Sequence, residues 1–149
     1  MTSNIREQQL FPIRIPLLKG LMGYRLLLIN KGDQYKFSNI STLAQLKKRL
    51  GGQSFEWPDT EILLSNGLAL IVGPSATMHK MLLAKRFDYF PRGISEIWRE
   101  EELFDNLVVE QNLIVHYPAV MYFFVQSGNV ELAQRMALGL RRAKKNGRF

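Results

Sequence analysis

The sequence predicts an α/β chain whose mixed, mostly parallel sheet is flanked by helices. Short apolar runs of strand length alternate with capped amphipathic segments, an order that favours parallel pairing through right-handed crossovers. With 149 residues, 46% of them apolar, the chain can bury the core of one ordinary domain. Turn chemistry at Asn30-Lys31-Gly32-Asp33, Asn66-Gly67 and Gly73-Pro74 punctuates the runs.

Leu26 to Ile29 is a continuous apolar run, the pattern of a buried strand, and the turn beginning at Asn30 ends it. Thr42 and Gln45 form a capping box, in which each side chain satisfies the other residue's free backbone N–H. It opens a short helix carrying Leu43, Leu46 and Leu50, which Gly51-Gly52 stops. Pro58 suits the first position of another helix, because its missing N–H has no partner there, and Asp59 and Glu61 place negative charge at the positive end. Asn66-Gly67 supplies the left-handed stop.

Leu68 to Val72 reads as a strand, and Ser75 as the cap of a helix with Met78, Met81 and Leu82 on one face. Phe87 to Phe90 is the next strand, with a turn at Arg92 at its carboxyl end. A helix carrying Ile94, Ile97, Trp98 and Phe104 follows, then extended runs from Leu113 to His116 and from Val120 to Gln126. Asn129 caps the last helix, where Val130, Ala133, Met136, Ala137 and Leu140 repeat at three and four residues. That apolar face needs a partner sheet, and the Pro- and Gly-rich segment from Leu10 to Leu21 has no element of its own to pack on. Both chain ends therefore read as pieces of another body.

Composition excludes several function classes. There is no cysteine, so disulfides, thiol catalysis and Cys-ligated zinc are ruled out. No apolar run approaches ~18 residues, the length a membrane span needs. Met22-Gly23-Tyr24-Arg25 interrupts the apolar stretch from Leu21 to Ile29, and no small-residue cleavage site follows, so no signal peptide is expected in this chain. The net charge of +7 reflects 20 Lys and Arg against 13 Asp and Glu, with Arg141, Arg142, Lys144, Lys145 and Arg148 all near the end. Those cations suit a helix C-terminus, where they offset exposed carbonyls. No stacking aromatics interleave them, so no nucleic-acid partner is expected; a basic surface for nucleic acid or anionic membrane is the alternative.

The catalytic inventory is thin: there is no Gly-x-Ser-x-Gly elbow, phosphate loop or His-Glu-x-x-His. The chain is not expected to be an enzyme, to bind a metal or to need a cofactor. His79 and His116 lack an Asp or Glu at ligand spacing and read as surface or packing groups, and Glu100-Glu101-Glu102 reads as a solvated face.

The order of elements and three local motifs resemble the bacterial extracellular solute-binding proteins of family 3, the two-lobed type II periplasmic binding proteins that feed polar amino acids to ABC importers. "STLAQLKKRLGG" is similar to the family's Leu-x-x-Leu-Lys helix before a glycine turn, and "MLLAKRFDYF" to its Leu-x-x-Gly-Arg-x-Asp-Ala segment. "FFVQSGNVELAQRMALGLRRAKKNGRF" is similar to its returning strand, capped helix and closing Asn-Gly-x-Phe turn. The likeness runs from about Arg6 to Phe149, and "WPDTEIL" and "RFDYFPRG" mark an atypical branch.

The resemblance implies a type II periplasmic-binding-protein-like fold comprising the second lobe with parts of the hinge and first lobe. Residues 1–23 would end the first lobe, 24–31 form a hinge strand, 32–116 the second lobe, 117–128 the returning hinge segment and 129–149 a first-lobe helix. It further implies a truncated chain, with the first-lobe sheet, the secretion signal and the arginine for a ligand carboxylate upstream of Met1. Expected partners are a small-molecule ligand in an interlobe cleft and an ABC transporter membrane component, with a periplasmic location. The alternative is a remnant that binds no ligand and self-associates as a homodimer through its exposed hinge strand and last helix.

Within the resemblance, the ligand-facing turn is "GGQSFEWPD". Gln53 and Ser54 can donate hydrogen bonds, and Phe55 and Trp57 can stack on a ligand; a capped turn with Trp57 packed locally remains the other reading. In the family, an aspartate five residues after the Asp of the Arg-x-Asp segment holds the ligand ammonium. Counted from Asp88 that position is Gly93, and its neighbour Arg92 suits a carboxylate or phosphate. Glu96 takes a cationic group, or pairs with Arg92 or Arg99. Arg92 is expected to line the cleft rather than form a surface salt bridge, favouring an anionic or mixed-charge ligand.

Overall fold

The computed structural model describes residues 4–148; Met1 and the Phe149 of the closing motif lie outside the described residues. In chain order its elements begin with α1 (Asn4–Gln9), β1 (Leu10–Ile13), β2 (Tyr24–Asn30), α2 (Leu43–Leu46), β3 (Leu50–Ser54), α3 (Asp59–Ser65) and β4 (Ala69–Gly73). They continue with α4 (Ser75–Leu83), β5 (Phe90–Gly93), α5 (Ile97–Leu103), β6 (Leu107–Val109), β7 (Val115–His116), β8 (Phe123–Gln126) and α6 (Val130–Lys145). The chain divides into two compact units, a larger one over Tyr24–Tyr117 and a smaller one built from Met1–Gly23 and Pro118–Phe149.

In the larger unit β2 is the central strand. Leu26, Leu27, Leu28 and Ile29 are all buried, because successive side chains of a strand alternate between faces and both faces are covered. Leu26 and Leu28 join a core with Met78, Leu82, Phe87, Phe90, Ile97 and Leu107. β2 pairs antiparallel with β5 (Arg25↔Gly93 to Leu28↔Phe90), with β6 (Leu28↔Val109 to Asn30↔Leu107) and with β7 (Tyr24↔His116). The hinge strand expected to be exposed is therefore paired along both edges and offers no free edge to a second copy.

β3 and β4 pair in parallel from Leu50↔Ala69 to Ser54↔Gly73. The segment after α4 joins these strands to β2: Asp88 N donates to Leu50 O (2.7 Å) and Gly52 N to Tyr89 O (2.8 Å), and from Phe90 onward the same segment pairs with β2. The sheet is mixed, as predicted, but parallel pairing is confined to the neighbours of β3. The segment runs on past β3 to reach β2 in the opposite direction, so Arg92 and Gly93 are strand residues rather than a turn.

Gly51-Gly52 does not stop a helix. Both glycines lie inside β3, where a Cβ on Gly51 would stand 2.8 Å from Leu70 and 2.9 Å from the Tyr89 ring, and one on Gly52 would overlap the Phe87 ring. Glycine is required by close approach of aromatic rings, not by a turn. The predicted Thr42–Gln45 box and Gly67 stop form: Gln45 N donates to Thr42 Oγ1 (3.3 Å) while Thr42 N donates to Gln45 Oε1 (3.1 Å), and Gly67 takes the left-handed φ of 79°. Pro74, not Ser75, is the N-cap of α4, and β6 is a strand the sequence did not announce.

In the smaller unit β1 pairs antiparallel with β8 (Leu10↔Gln126 to Ile13↔Phe123), and α6 packs on them through Ile13, Val125 and Ala133, flanked by Met136, Ala137 and Leu140. The two chain ends that lack partners in the sequence reading are partners for each other. Asn129 caps α6 by accepting from Leu132 N (3.3 Å), and Arg142, Lys144 and Lys145 occupy its last turn. Among the described residues no helix is long and apolar enough to cross a membrane.

Candidate functional site

The polar candidates gather where β3 and β5 end in the larger unit. Gln53 and Ser54, the last residues of β3, are fully buried. Ser54 Oγ accepts from Glu56 N and donates to Glu56 Oε2, both at 3.2 Å, and the Thr60 hydroxyl donates to Ser54 O at 2.5 Å, which fixes the turn into α3. Gln53 Oε1 accepts from Ser54 N (3.1 Å), whereas Gln53 Nε2 has no hydrogen-bond partner among the described residues. Phe55 is 62% exposed.

Trp57 packs locally. Its ring stacks on Phe90 (5.9 Å, 10°), and the Arg92 guanidinium sits 4.4 Å above it. Arg92 is committed to Glu100: Nε lies 2.8 Å from both carboxylate oxygens and Nη2 2.5 Å from Oε1, with Glu96 Oε2 at 3.2 Å. Its side chain is only 11% exposed. His79 Nε2 lies 3.0 Å from Glu100 and its ring stacks on Phe104 at 4.5 Å. Burial pushes the Glu100 carboxyl up, but hydrogen bonds from His79 and Arg92, with the Arg92 charge, outweigh it and hold the group below the usual carboxylate range. Glu100 thus leaves the solvated run in which its sequence placed it.

A second buried pair lies opposite Gly93. Arg25 Nη2 meets Asp59 Oδ2 at 2.8 Å, and Arg25 Nε donates to the Tyr117 hydroxyl at 2.9 Å. A Cβ on Gly93 would stand 3.0 Å from Arg25 Nη1 and 3.3 Å from Glu96 Oε2, so the glycine lets the two side chains approach. Burial, reinforced by the Asp59 charge, pushes the Tyr117 phenol upward against the opposing pull of Arg25.

The fold brings Trp57, Arg92, Gly93 and Glu96 together and buries Gln53 and Ser54. Phe55 and Glu96 are the two solvent-exposed members of the predicted set, with the Glu96 side chain 44% exposed. Arg25 with Asp59 and Arg92 with Glu100 cancel in charge; Glu96, which also contacts Arg92, and Glu56, beside Ser54, are the exposed carboxylates at this end of the sheet. Sequence reasoning missed Arg25, Tyr117, His79 and Glu100 as members of the cluster. Arg25 carried a usable signal, a charge beside a buried apolar run that folding obliges to find a counterion.

The architecture is that of a type II periplasmic-binding-protein-like α/β chain. No family model matches the sequence, and no curated protein matches it. The structure is similar to an amino acid ABC transporter substrate-binding protein from Streptococcus pneumoniae bound to L-arginine, at 12% identity and a TM-score of 0.73, covering 98% of this chain and 60% of that one. It is also similar to an ancestral arginine-binding protein bound to glutamine (16%, 0.71, 98% and 63%) and to the solute receptor for L-cysteine of Neisseria gonorrhoeae (16%, 0.65, 99% and 57%). At these identities the likeness is one of fold, and the chain spans about 60% of the length of the proteins it matches.

Proposed function

We propose that the chain is a solute-binding protein, or a piece of one, that holds a small polar, amino-acid-like molecule for an ABC importer or a sensor in the periplasm. The observation that carries the reading is the superposition of almost the whole chain on amino-acid-binding receptors. In this reading residues 32–116 correspond to the second lobe, and residues 1–23 and 129–149 to parts of the first.

The ligand contacts assigned to this chain are Phe55, for an apolar portion, and Glu96, for an ammonium. Of the anionic or mixed-charge ligand expected from Arg92, the mixed-charge form is the one retained, because a ligand carboxylate would have to displace Glu100 from a bidentate pair. Thermal-shift measurements and calorimetry with the twenty amino acids and their decarboxylated amines test the proposal. A ligand that stabilises the chain, with affinity falling about tenfold or more in Glu96→Gln, is the expected outcome. Silence across the panel, or a ligand indifferent to Glu96→Gln, would refute it.

A further inference from the structure

The larger unit contains a cavity of about 610 Å³ that shares no residue with the cluster around Arg92 and Arg25. Its volume falls in the range of small-molecule sites, roughly 300–1,000 Å³. Leu26, Ile94, Val109 and Leu113 form apolar walls, while Trp98 and Ile114, 51% and 58% exposed, form its mouth.

Two carboxylates also line it. Glu110 is 1% exposed and accepts from Gln34 Nε2 (2.5 Å), Asn112 N (3.0 Å) and Leu113 N (2.6 Å); Glu101 Oε1 accepts from Val109 N (2.8 Å). Every one of these partners is a neutral donor. The other sequestered carboxylates of this unit each have a cation: Asp59 has Arg25, Glu100 has Arg92, and Asp33 has Lys36. Among the described residues neither Glu101 nor Glu110 forms an ion pair. Apolar walls, an open indole and two carboxylates without counterions are complementary to one kind of small molecule.

We infer that this cavity binds an organic ammonium with an apolar body, the chain or ring against Ile94, Val109 and Leu113 and the cationic head between Trp98 and Glu101. The aromatic face attracts a cation electrostatically, and the carboxylate supplies the missing charge pair. An anion of the same shape is repelled, and a neutral isostere gains the apolar contacts alone.

The test is calorimetry on the full chain with hexylamine, hexan-1-ol and hexanoate, followed in parallel by tryptophan fluorescence. Hexylamine is expected to bind about tenfold tighter than the alcohol, and hexanoate not to bind. Glu101→Gln keeps an acceptor for Val109 N while removing the charge, and is expected to reduce the amine to the affinity of the alcohol. Ile114→Arg, at the exposed mouth, is expected to abolish amine binding without altering the melting temperature, and serves should Glu101→Gln not fold. The loss in Ile114→Arg also separates this site from the one at the ends of β3 and β5, to which Ile114 does not contribute. Equal binding of amine and alcohol, no binding of the amine, or an amine preference that survives Ile114→Arg would overturn the inference.

Discussion

Arg92→Ala separates a structural arginine from a ligand-binding one. The side chain is 11% exposed, makes a bidentate pair with a Glu100 that is itself 14% exposed, and lies 4.4 Å above the Trp57 ring. Removing one partner of a buried pair costs about 3–5 kcal/mol, because the other charge is left uncompensated. Here His79 still contacts Glu100 and some solvent reaches both groups, so the lower end applies, about 3 kcal/mol including the stacking on Trp57. For a chain of this size each kcal/mol lowers the melting temperature by roughly 2–4 °C, giving a loss of about 6–12 °C. Calorimetric melting of Arg92→Ala, Glu100→Gln and the double variant checks it, with the double variant expected to lose less than the sum of the singles. A melting temperature within about 1 °C of the parent, with loss of ligand response only, would show that Arg92 serves a ligand instead of the fold.

Gly52→Ala is expected to cost about 1–3 kcal/mol in urea unfolding, since its methyl group overlaps the Phe87 ring; a change below about 0.5 kcal/mol would mean the ring yields freely. Burial raises the Tyr89 phenol, with the Asp88 charge adding to it, so above pH 10.0 the unfolded chain ionises there while the folded one does not, and stability falls as pH rises. Tyr89→Phe should flatten that alkaline limb and gain up to about 1 kcal/mol at neutral pH, because the buried hydroxyl has no hydrogen-bond partner among the described residues. Superimposable alkaline curves for parent and variant would refute this. Glu100, held below its ordinary value of 4.5, contributes stability that is present above that pH and is lost as pH falls through the folded value. The gap between parent and Glu100→Gln should therefore narrow as the pH falls below 4.5; a constant gap would contradict the assignment.

The parts of the fold legible in the sequence are those set by local chemistry. The Leu26–Ile29 run, the Thr42–Gln45 box, the Gly67 stop and the Asn129 cap each depend on residues within a few positions of one another. What was illegible depends on distant partners. Gly51 and Gly52 looked like punctuation because the rings that need their space, Phe87 and Tyr89, lie more than thirty positions downstream. β1 and β6, of four and three residues, are too short to carry a period, and pairing alone defines them. At the site, residue types were read correctly and their engagements were not: Glu100 sits in a run that looks solvated, and only the return of β5 beside α5 brings Arg92 onto it. An arginine in a sequence advertises a charge without showing that the charge is already spent.

The smaller unit is assembled from the two ends of the chain, with the whole larger unit inserted between them. Among the described residues its strand pairing, β1 with β8, closes a loop longer than that insertion. In an unstructured chain such a closure is entropically costly, and the cost grows slowly with length; a folded insertion turns the long flexible loop into a compact spacer. Dependence between the two units is thus one-directional. The larger unit contains all its own strand partners, whereas the smaller one forms late, after β8 has left the ribosome, and any lesion that melts the insertion also returns β1 and β8 to strangers on one thread.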